Sequence, residues 1–129
     1  MAATLRGKTP GVAEEPTLFQ RIIAGEIPGE VVAESEHAVA LRDIAPTAPT
    51  HVLVVTRVPY PDVATLAAQD PDALVDLHRL AARVAEREGL TADGEGWRLV
   101  FNSGPRAGQS VPHVHGHVIG GRDLGWPPG

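Results

Sequence analysis

The chain has 129 residues, of which 43% are hydrophobic, and its formal net charge at pH 7 is −5. This length supports one domain with a core of its own but not two ordinary domains. The acidic balance, with no cluster of Lys or Arg, argues against a protein that binds a nucleic-acid backbone. The sequence contains no cysteine, which excludes disulfides, thiolate nucleophiles and cysteine-type zinc sites.

The first residues carry no apolar signal-peptide segment, and no apolar run reaches membrane-spanning length. We therefore expect a cytoplasmic protein without membrane or nucleic-acid partners. Residues 1–16 mix Gly, Pro, Thr and charge without periodicity, which predicts a mobile tail before one domain over residues 17–129. Thr17 is placed to cap a short helix that Gly25 ends.

Short β-forming runs bounded by turn residues predict five strands. These runs are residues 31–33, 38–41, 51–56, 97–101 and 114–119. The clearest helix lies between the third and fourth runs, with Asp70 as its N-cap and Gly89 as its terminator. Five strands and two helices predict an α+β domain whose antiparallel sheet is covered on one face.

Three imidazoles, those of His113, His115 and His117, recur at alternate positions of a stretch that is otherwise mostly β-forming. Alternate residues of a strand share a face, so we expect one sheet face to carry all three rings. Three half-polar rings cost packing and desolvation that three valines would not, which favours chemistry over a histidine-rich solvated edge. The row follows the small-residue stretch 102–110, a kind of loop whose backbone N–H groups can hold oxyanions.

The central ring, His115, suits the role of a nucleophile, with its neighbours orienting it and holding the charge of the substrate. An imidazole with its ordinary pKa near 6.5 is largely neutral at pH 7 and offers a lone pair without a separate base. Attack on phosphorus would form a nucleotidyl-histidine intermediate that water later resolves.

Two other kinds of chemistry remain open. On a strand, His113 and His117 lie roughly 13 Å apart between Cα atoms, too far to share one ion, so we expect no metal site. His113 and His115 with His51 form the alternative metal set. A serine hydrolase would use Ser110 as its nucleophile, but Ser110 has no Gly-x-Ser-x-Gly elbow around it. We therefore expect its hydroxyl to bind a phosphate or protonate a leaving group, or to be an ordinary turn hydroxyl.

Together these residues resemble the histidine triad superfamily, and within it the Hint branch of purine nucleoside phosphoramidases. The segments that carry the resemblance are residues 19–28, 43–51, 108–117, 120–122 and 126–129. It implies an α+β fold in which a five-stranded antiparallel sheet with two helices extends across a homodimer. It also implies a cofactor-free hydrolase that cleaves P–N or mixed-anhydride bonds in purine nucleoside monophosphate derivatives, such as adenosine phosphoramidate and aminoacyl-adenylates.

The resemblance also implies residue roles. His115 matches the nucleophile, His51, His113 and His117 match its supporting rings, and Ser110 matches a residue near the phosphate and the leaving group. The other implied contacts are Asn102, Gly108 and Gln109 near the phosphate, Asp43 at the ribose, Leu18, Phe19, Ile22, Leu41, Ile44 and Leu53 around the purine, and Trp126 on the leaving-group side. From the residues alone, the six apolar members are core candidates, and Asp43 is equally a turn residue.

Three positions depart from the family's pattern. Gly116 stands where relatives carry Leu or Val, Pro112 stands where many carry an aromatic residue, and Leu41 stands where a larger ring is common. A glycine inside a strand predicts a bulge or a close approach of another group. The smaller Leu41 predicts a looser purine pocket.

The family expectation leaves two rival functions. A non-catalytic nucleotide-binding or scaffold protein is the first, and a dinucleotide polyphosphate hydrolase of a sister branch is the second. The segment 126–129 argues against the sister branch, and its two prolines predict a stiff strand-like arm. We expect that arm to reach across a two-fold axis, with residues 97–101 and 71–88 forming much of the interface.

Overall fold

The computed structural model describes residues 15–129. Nearly all of the predicted mobile tail lies outside these residues. The elements in chain order are α1 (Leu18–Ile23), β1 (Val31–Glu34), β2 (Ala38–Arg42), β3 (Thr50–Thr56), α2 (Val63–Gln69), α3 (Pro71–Arg87), β4 (Trp97–Phe101), a 3₁₀ turn (Pro105–Ala107) and β5 (His115–Gly120).

The helices begin at polar caps. The side chain of Thr17 accepts from the backbone N–H of Gln20, whose own side chain accepts from the Thr17 N–H, which makes a capping box for α1. Asp70 caps α3, as expected. The structure adds α2, a seven-residue helix capped by Asp62, whose length is too short for a clear apolar period in the sequence.

The five strands form one antiparallel sheet in the order β1-β2-β3-β5-β4. This confirms the predicted sheet. The connection from β3 to β4 carries α2 and α3, so β5 returns to the gap between these two strands. That insertion places β5, with its histidines, directly beside β3, which carries His51.

The two faces of the sheet are covered differently. On one face, Leu77 and Leu80 of α3 pack on small and branched residues such as Ala40 and Val54. On the other face, the short α1 contributes Phe19 to a smaller cluster with Val39, Leu41 and Val55. The sequence predicted helices on one face only. In the structure α1 also covers part of the second face, and a cavity lies beside it.

The strand is regular through Gly116. This glycine pairs with Val54 on one side and with Phe101 on the other, without a register shift. A Cβ at this position would lie 2.7 Å from Cδ1 of Leu99 and 3.0 Å from Cζ of Phe101. Of the two predicted meanings of the glycine, the close approach is confirmed. The register shift of this sheet lies instead between Val31 and Ala33.

Within residues 15–129, no helix has the length and apolar character needed to cross a bilayer.

Candidate functional site

A cavity of about 300 Å³ opens on the α1 face of the sheet. Its lining includes Leu18, Phe19, Ile22, Ile27, Pro28, Gly29, Leu41, Asp43, Ile44, Leu53, Ser110, Val111, His115 and His117. All six residues expected around the purine are among them. Their positions differ, since Phe19 is buried whereas Ile44 is 94% exposed at the mouth. The cavity therefore has an apolar wall, and its polar lining residues are Arg42, Asp43, Ser110 and two histidines.

The ring of His115 has a defined proton position. Its Nδ1 lies 2.7 Å from the carbonyl oxygen of His113, and a carbonyl only accepts, so Nδ1 carries the proton and Nε2 keeps its lone pair. Phe19 holds the ring in an edge contact with 4.8 Å between centroids. Burial lowers the pKa of His115 below its ordinary value of 6.5. His115 is thus a neutral imidazole with a lone pair at the cavity.

A chain of hydrogen bonds assigns the protons of two more rings. The backbone N–H of Thr47 donates to Nδ1 of His51 at 3.1 Å, which leaves the His51 proton on Nε2. That Nε2 donates to Nδ1 of His117 at 2.9 Å, so the proton of His117 lies on its Nε2. Among residues 15–129, this Nε2 is the one buried side-chain polar atom without a hydrogen-bond partner. His117 therefore offers a free N–H donor beside His115.

Electrostatics keep His117 neutral near pH 7. Its pKa is lowered to about 4, chiefly by burial and then by the charges that His115 and His51 would carry when protonated. Three rings in close contact cannot all be protonated without mutual repulsion. His115 and His117 therefore act as neutral donors and acceptors at physiological pH.

The ring of His113 lies on the same side of the sheet as the other two rings, although it precedes β5, since it contacts the ring of Phe19 with 5.5 Å between centroids. β5 begins at His115, and a turn in which the His113 N–H donates to the Val111 carbonyl precedes it. The buried His113 ring donates through Nε2 to the carbonyl of Thr56 at 2.6 Å and accepts at Nδ1 from the hydroxyl of Thr17. The three rings thus lie on one side of the sheet, but only His115 and His117 belong to β5 and line the cavity. It is the carbonyl oxygen of His113, and not its imidazole, that contacts His115.

Asp43 is both a turn residue and a cavity residue. Its Oδ1 accepts from the N–H of Ala45 at 2.8 Å, as in a turn that an aspartate initiates. Its Oδ2 lies 3.4 Å from Nε2 of His51. One carboxylate thus links the loop after β2 to the histidine cluster.

The loop 102–110 is closed by the side chain of Gln109. Its Oε1 accepts from the N–H of Gly104 at 3.0 Å, and its Nε2 donates to the carbonyls of Pro61 and Val111. Gly108 has φ +85°, which a side chain would strain. Ser110 lines the cavity, whereas Asn102, Gly108 and Gln109 are not among its lining residues. The Gln109 amide therefore shapes the loop.

The structure assembles a different potential metal set from the one considered. The donor atoms of Asp43, His51 and His117 lie within 4.8 Å of one another, and within residues 15–129 no other such group forms. A metal at Nε2 of His51 needs the lone pair there, but the Thr47 N–H occupies Nδ1 and keeps the proton on Nε2. The donor set therefore fits a resident metal poorly.

Trp126 lies apart from the cavity of its own chain. Its ring is 82% exposed, and the guanidinium of Arg98 lies 5.9 Å from its centroid. Arg98 also donates to the carbonyls of Leu124 and Gly125. A second crevice, of about 320 Å³, lies nearby between residues 94–98 and 121–124 and contains none of the predicted site residues. The α1-side cavity contains Asp43, Ser110, His115 and His117 and is therefore the candidate site.

Several residues of the site were not identified from the sequence. Thr17 was identified only as a cap, and its bond to His113 joins residues 96 positions apart. Thr47, which sets the proton of His51, lies in a loop without any local pattern. The segment 27–29 closes the cavity, and a Cβ on Gly29 would collide with Ile22. An Ile-Pro-Gly turn indicates a bend but not what it faces.

Comparison with known proteins gives consistent relatives. The family model described as HIT domain matches residues 24–124. The chain is 41% identical over 111 residues to the purine nucleoside phosphoramidase of Escherichia coli strain K12, which covers 86% of this chain and 92% of that protein. It is 43% identical over 119 residues to the adenylylsulfatase HINT1 of Arabidopsis thaliana, with 91% and 79% covered.

A third relative is the 14 kDa zinc-binding protein of Zea mays, 43% identical over 118 residues with 90% of each chain covered. Among solved structures, the HIT family hydrolase from Legionella pneumophila Philadelphia 1 matches with a TM-score of 0.81 and 40% identity. That match covers 88% of this chain and all of the other. On this sequence match, this fold and these histidines, the chain belongs to the HIT domain family.

Proposed function

We propose that this protein hydrolyses P–N and mixed-anhydride bonds in purine nucleoside monophosphate derivatives through a nucleotidyl-histidine intermediate. The observation that carries the proposal is the proton assignment of His115, whose Nδ1 is bonded to a carbonyl and whose Nε2 keeps a lone pair. The names of two relatives, a purine nucleoside phosphoramidase and an adenylylsulfatase, support the same class of substrate.

In the proposed reaction, the lone pair of His115 Nε2 attacks phosphorus and forms a P–N bond. The bond from phosphorus to the amine or acyl oxygen breaks, and the leaving group departs with that electron pair. The hydroxyl of Ser110 donates a proton to the leaving group and regains one from water. A water molecule then attacks phosphorus, the bond to His115 breaks, and the nucleoside monophosphate leaves.

His117 stabilises the charge that develops on phosphorus. Its Nε2–H is buried without a partner, so a non-bridging phosphate oxygen would satisfy a donor that otherwise costs free energy. His51 acts on this step through the bond from its Nε2 to Nδ1 of His117. His113 acts as a positioning residue, through its carbonyl oxygen.

The nucleoside would occupy the remaining cavity. Asp43 would accept hydrogen bonds from the ribose hydroxyls, and Asn102, Gly108 and Gln109 stay proposed neighbours of the phosphate. The apolar wall would hold the purine, with Ile44, 94% exposed, covering it at the mouth. Leu41 leaves more room in this wall than a ring would.

We also propose a homodimer. Among the described strands, β4 pairs with β5 alone, so its other edge is free. His78 of α3 contacts the ring of Phe101 in β4, with 5.7 Å between centroids, which makes α3 and this edge one surface. Two such surfaces related by a two-fold axis would extend the sheet and bring the segment 126–129 toward the partner's cavity.

Incubation of the protein with adenosine phosphoramidate tests the proposed activity. We expect catalytic release of AMP, and slower cleavage of diadenosine polyphosphates. Tight AMP binding without release would instead indicate a non-catalytic nucleotide-binding protein, and faster cleavage of the dinucleotide would indicate the sister-branch activity. A cytoplasmic location stays a prediction from the sequence.

A further inference from the structure

One carboxylate, that of Glu88, holds the ends of two neighbouring strands. Glu88 caps the C-terminus of α3. Arg42, the last residue of β2, donates to it through Nη1 at 2.7 Å and Nη2 at 3.3 Å. Thr50, the first residue of β3, donates its hydroxyl to the same carboxylate at 3.4 Å. Three elements thus meet at one side chain.

The residue that follows each strand end lies on the cavity side of the sheet. Asp43 follows Arg42 and lines the cavity, and His51 follows Thr50 and bonds to the lining residue His117. Successive side chains of an extended chain point to opposite faces, so the side chains of Arg42 and Thr50 reach Glu88 on the helix-covered side. The Asp43 N–H donates to the His51 carbonyl at 3.0 Å, and Oδ2 of Asp43 lies 3.4 Å from Nε2 of His51.

The contacts of Glu88 are stronger than an ordinary surface ion pair. Two parallel bonds from a guanidinium fix both angle and distance. The side chains of Arg42 and Glu88 are 34% and 23% exposed, so solvent screens them only in part. The hydrogen bond to Arg42 lowers the pKa of Glu88 and raises that of Arg42. The pair therefore stays charged over the working pH range.

We propose that Glu88, with Arg42 and Thr50, is a positioning clamp that sets the separation of Asp43 and His51 from the reverse face of the sheet. The clamp would act on two properties of the cavity, recognition of the ribose hydroxyls by Asp43 and the bond from His51 to His117. This inference rests on the proposed nucleotide hydrolysis for its kinetic test, but not for its binding and spectroscopic tests.

Glu88→Gln keeps the size of the side chain and removes its charge. The wild-type protein should prefer ribonucleotide over 2′-deoxyribonucleotide substrates by about 10- to 100-fold, because a hydrogen bond to a carboxylate contributes about 1.5–3 kcal/mol. In Glu88→Gln we expect this ratio to fall by roughly 5- to 20-fold through a higher KM for the ribonucleotide, since a displaced Asp43 loses much of that hydrogen-bond energy. The deoxy substrate should change little.

A matched control exists at the opposite end of the sheet. There Arg57, which follows β3, pairs at 3.0 Å with Glu34, the last residue of β1, and neither residue lines the cavity. Glu34→Gln removes the same charge from the same sheet and should leave the ribose preference unchanged. The charge exchange Arg42→Glu with Glu88→Arg should restore part of the preference that Glu88→Gln loses.

Two further measurements do not depend on turnover. Calorimetric binding of AMP and 2′-deoxy-AMP gives the ribose preference directly, and nitrogen NMR of the imidazoles reports which nitrogen of His51 and His117 carries the proton. Glu88→Gln should reduce the preference for AMP over 2′-deoxy-AMP and shift the signals of both histidines. Glu34→Gln should change neither. A wild-type protein that releases no AMP contradicts the proposed function, while these measurements still test the clamp.

An unchanged ribose preference and unchanged histidine signals, in a Glu88→Gln protein with the melting temperature of the wild type, would overturn the clamp. If Glu88→Gln fails to fold, the ribose preference of Arg42→Lys tests the clamp. Lysine keeps the charge but cannot make the two parallel bonds. It should lose part of the ribose preference, and an unaltered preference in that variant would also overturn the proposal.

Discussion

The backbone carbonyl of His113 determines which nitrogen of His115 can attack phosphorus. The carbonyl binds the Nδ1 proton, and the remaining lone pair is the only one on this ring. His115→Ala should lower AMP release by at least about 10³-fold while the Kd for AMP stays within about tenfold, because most ground-state contacts lie elsewhere. Single-turnover assays and calorimetry measure the two effects.

His37→Ala is the control for this prediction. His37 lies in the turn before β2 and is not a cavity residue, so its removal should leave the rate unchanged. An acid-labile nucleotidyl group trapped on the wild-type protein, and absent from His115→Ala, would support the covalent intermediate. Retained turnover in His115→Ala would rule out the mechanism.

His113 couples the stability of the fold to pH. Burial lowers its pKa to about 4, the charge of His115 contributing less. The unfolded chain takes up the proton near pH 6.5, so stability is complete above pH 6.5 and decreases as the pH falls toward 4. The decrease from this one group should be of the order of 3 kcal/mol. Urea unfolding at a series of pH values measures it.

The free energy of unfolding should depend less steeply on pH in His113→Gln than in the wild type between pH 6.5 and 4, even though this variant starts from a lower stability. Equal slopes in His113→Gln and the wild type would show that another group governs the acid sensitivity.

The proton on Nε2 of His51 also predicts that catalysis needs no metal. Exhaustive dialysis against EDTA should leave the rate of AMP release unchanged, because the Thr47 N–H keeps this nitrogen protonated. Metal analysis of the purified protein should find no stoichiometric zinc. A loss of activity that zinc restores would assign the cluster of Asp43, His51 and His117 to a metal instead.

At the scale of the elements, Gly116 determines how closely β4 packs on β5. A methyl group there would overlap Leu99 and Phe101. Gly116→Ala should destabilise the protein by about 1–3 kcal/mol through overpacking. Gly96→Ala is the control, since a Cβ at Gly96 meets nothing within 4 Å. Thermal unfolding measures the stability of both variants. Equal stability of the two would contradict overpacking at Gly116.

The elements differ in how far the sequence predicts them. The strand at 97–101 and the helix from Asp70 agree with the structure because their signals, a β-forming run and a capped apolar period, are local. The last strand begins one residue later than predicted, at His115, after a turn in which the His113 N–H donates to the Val111 carbonyl. The ring of His113 stays on the same side as His115 and His117. The sequence pattern does not predict its bonds to Thr17 and Thr56, because those partners are distant in the chain.

At the scale of the whole molecule, the segment 126–129 and the free edge of β4 support the proposed dimer. Trp126 is 82% exposed in one protomer, and burial of such a ring against a partner would be favourable. We expect a homodimer by sedimentation. Deletion of residues 126–129 should change selectivity among amine leaving groups more than it changes the affinity for AMP.

A substrate panel with several amine leaving groups, assayed on the full-length and the shortened protein, measures this selectivity. Identical relative rates for the two proteins would show that the segment does not contribute to leaving-group recognition. A monomer by sedimentation would contradict the dimer itself.

Composition, periodicity and motif spacing predict the residues that can perform chemistry, the five strands and the family, because these signals are carried by residues close together in the chain. The protonation of each ring depends instead on the tertiary structure. The protonated nitrogen of His51 is set by the N–H of Thr47. That of His113 is set by the hydroxyl of Thr17 and the carbonyl of Thr56, two partners that lie far from His113 in the chain. A proton's position on an imidazole depends on the partner in space, which no local pattern specifies.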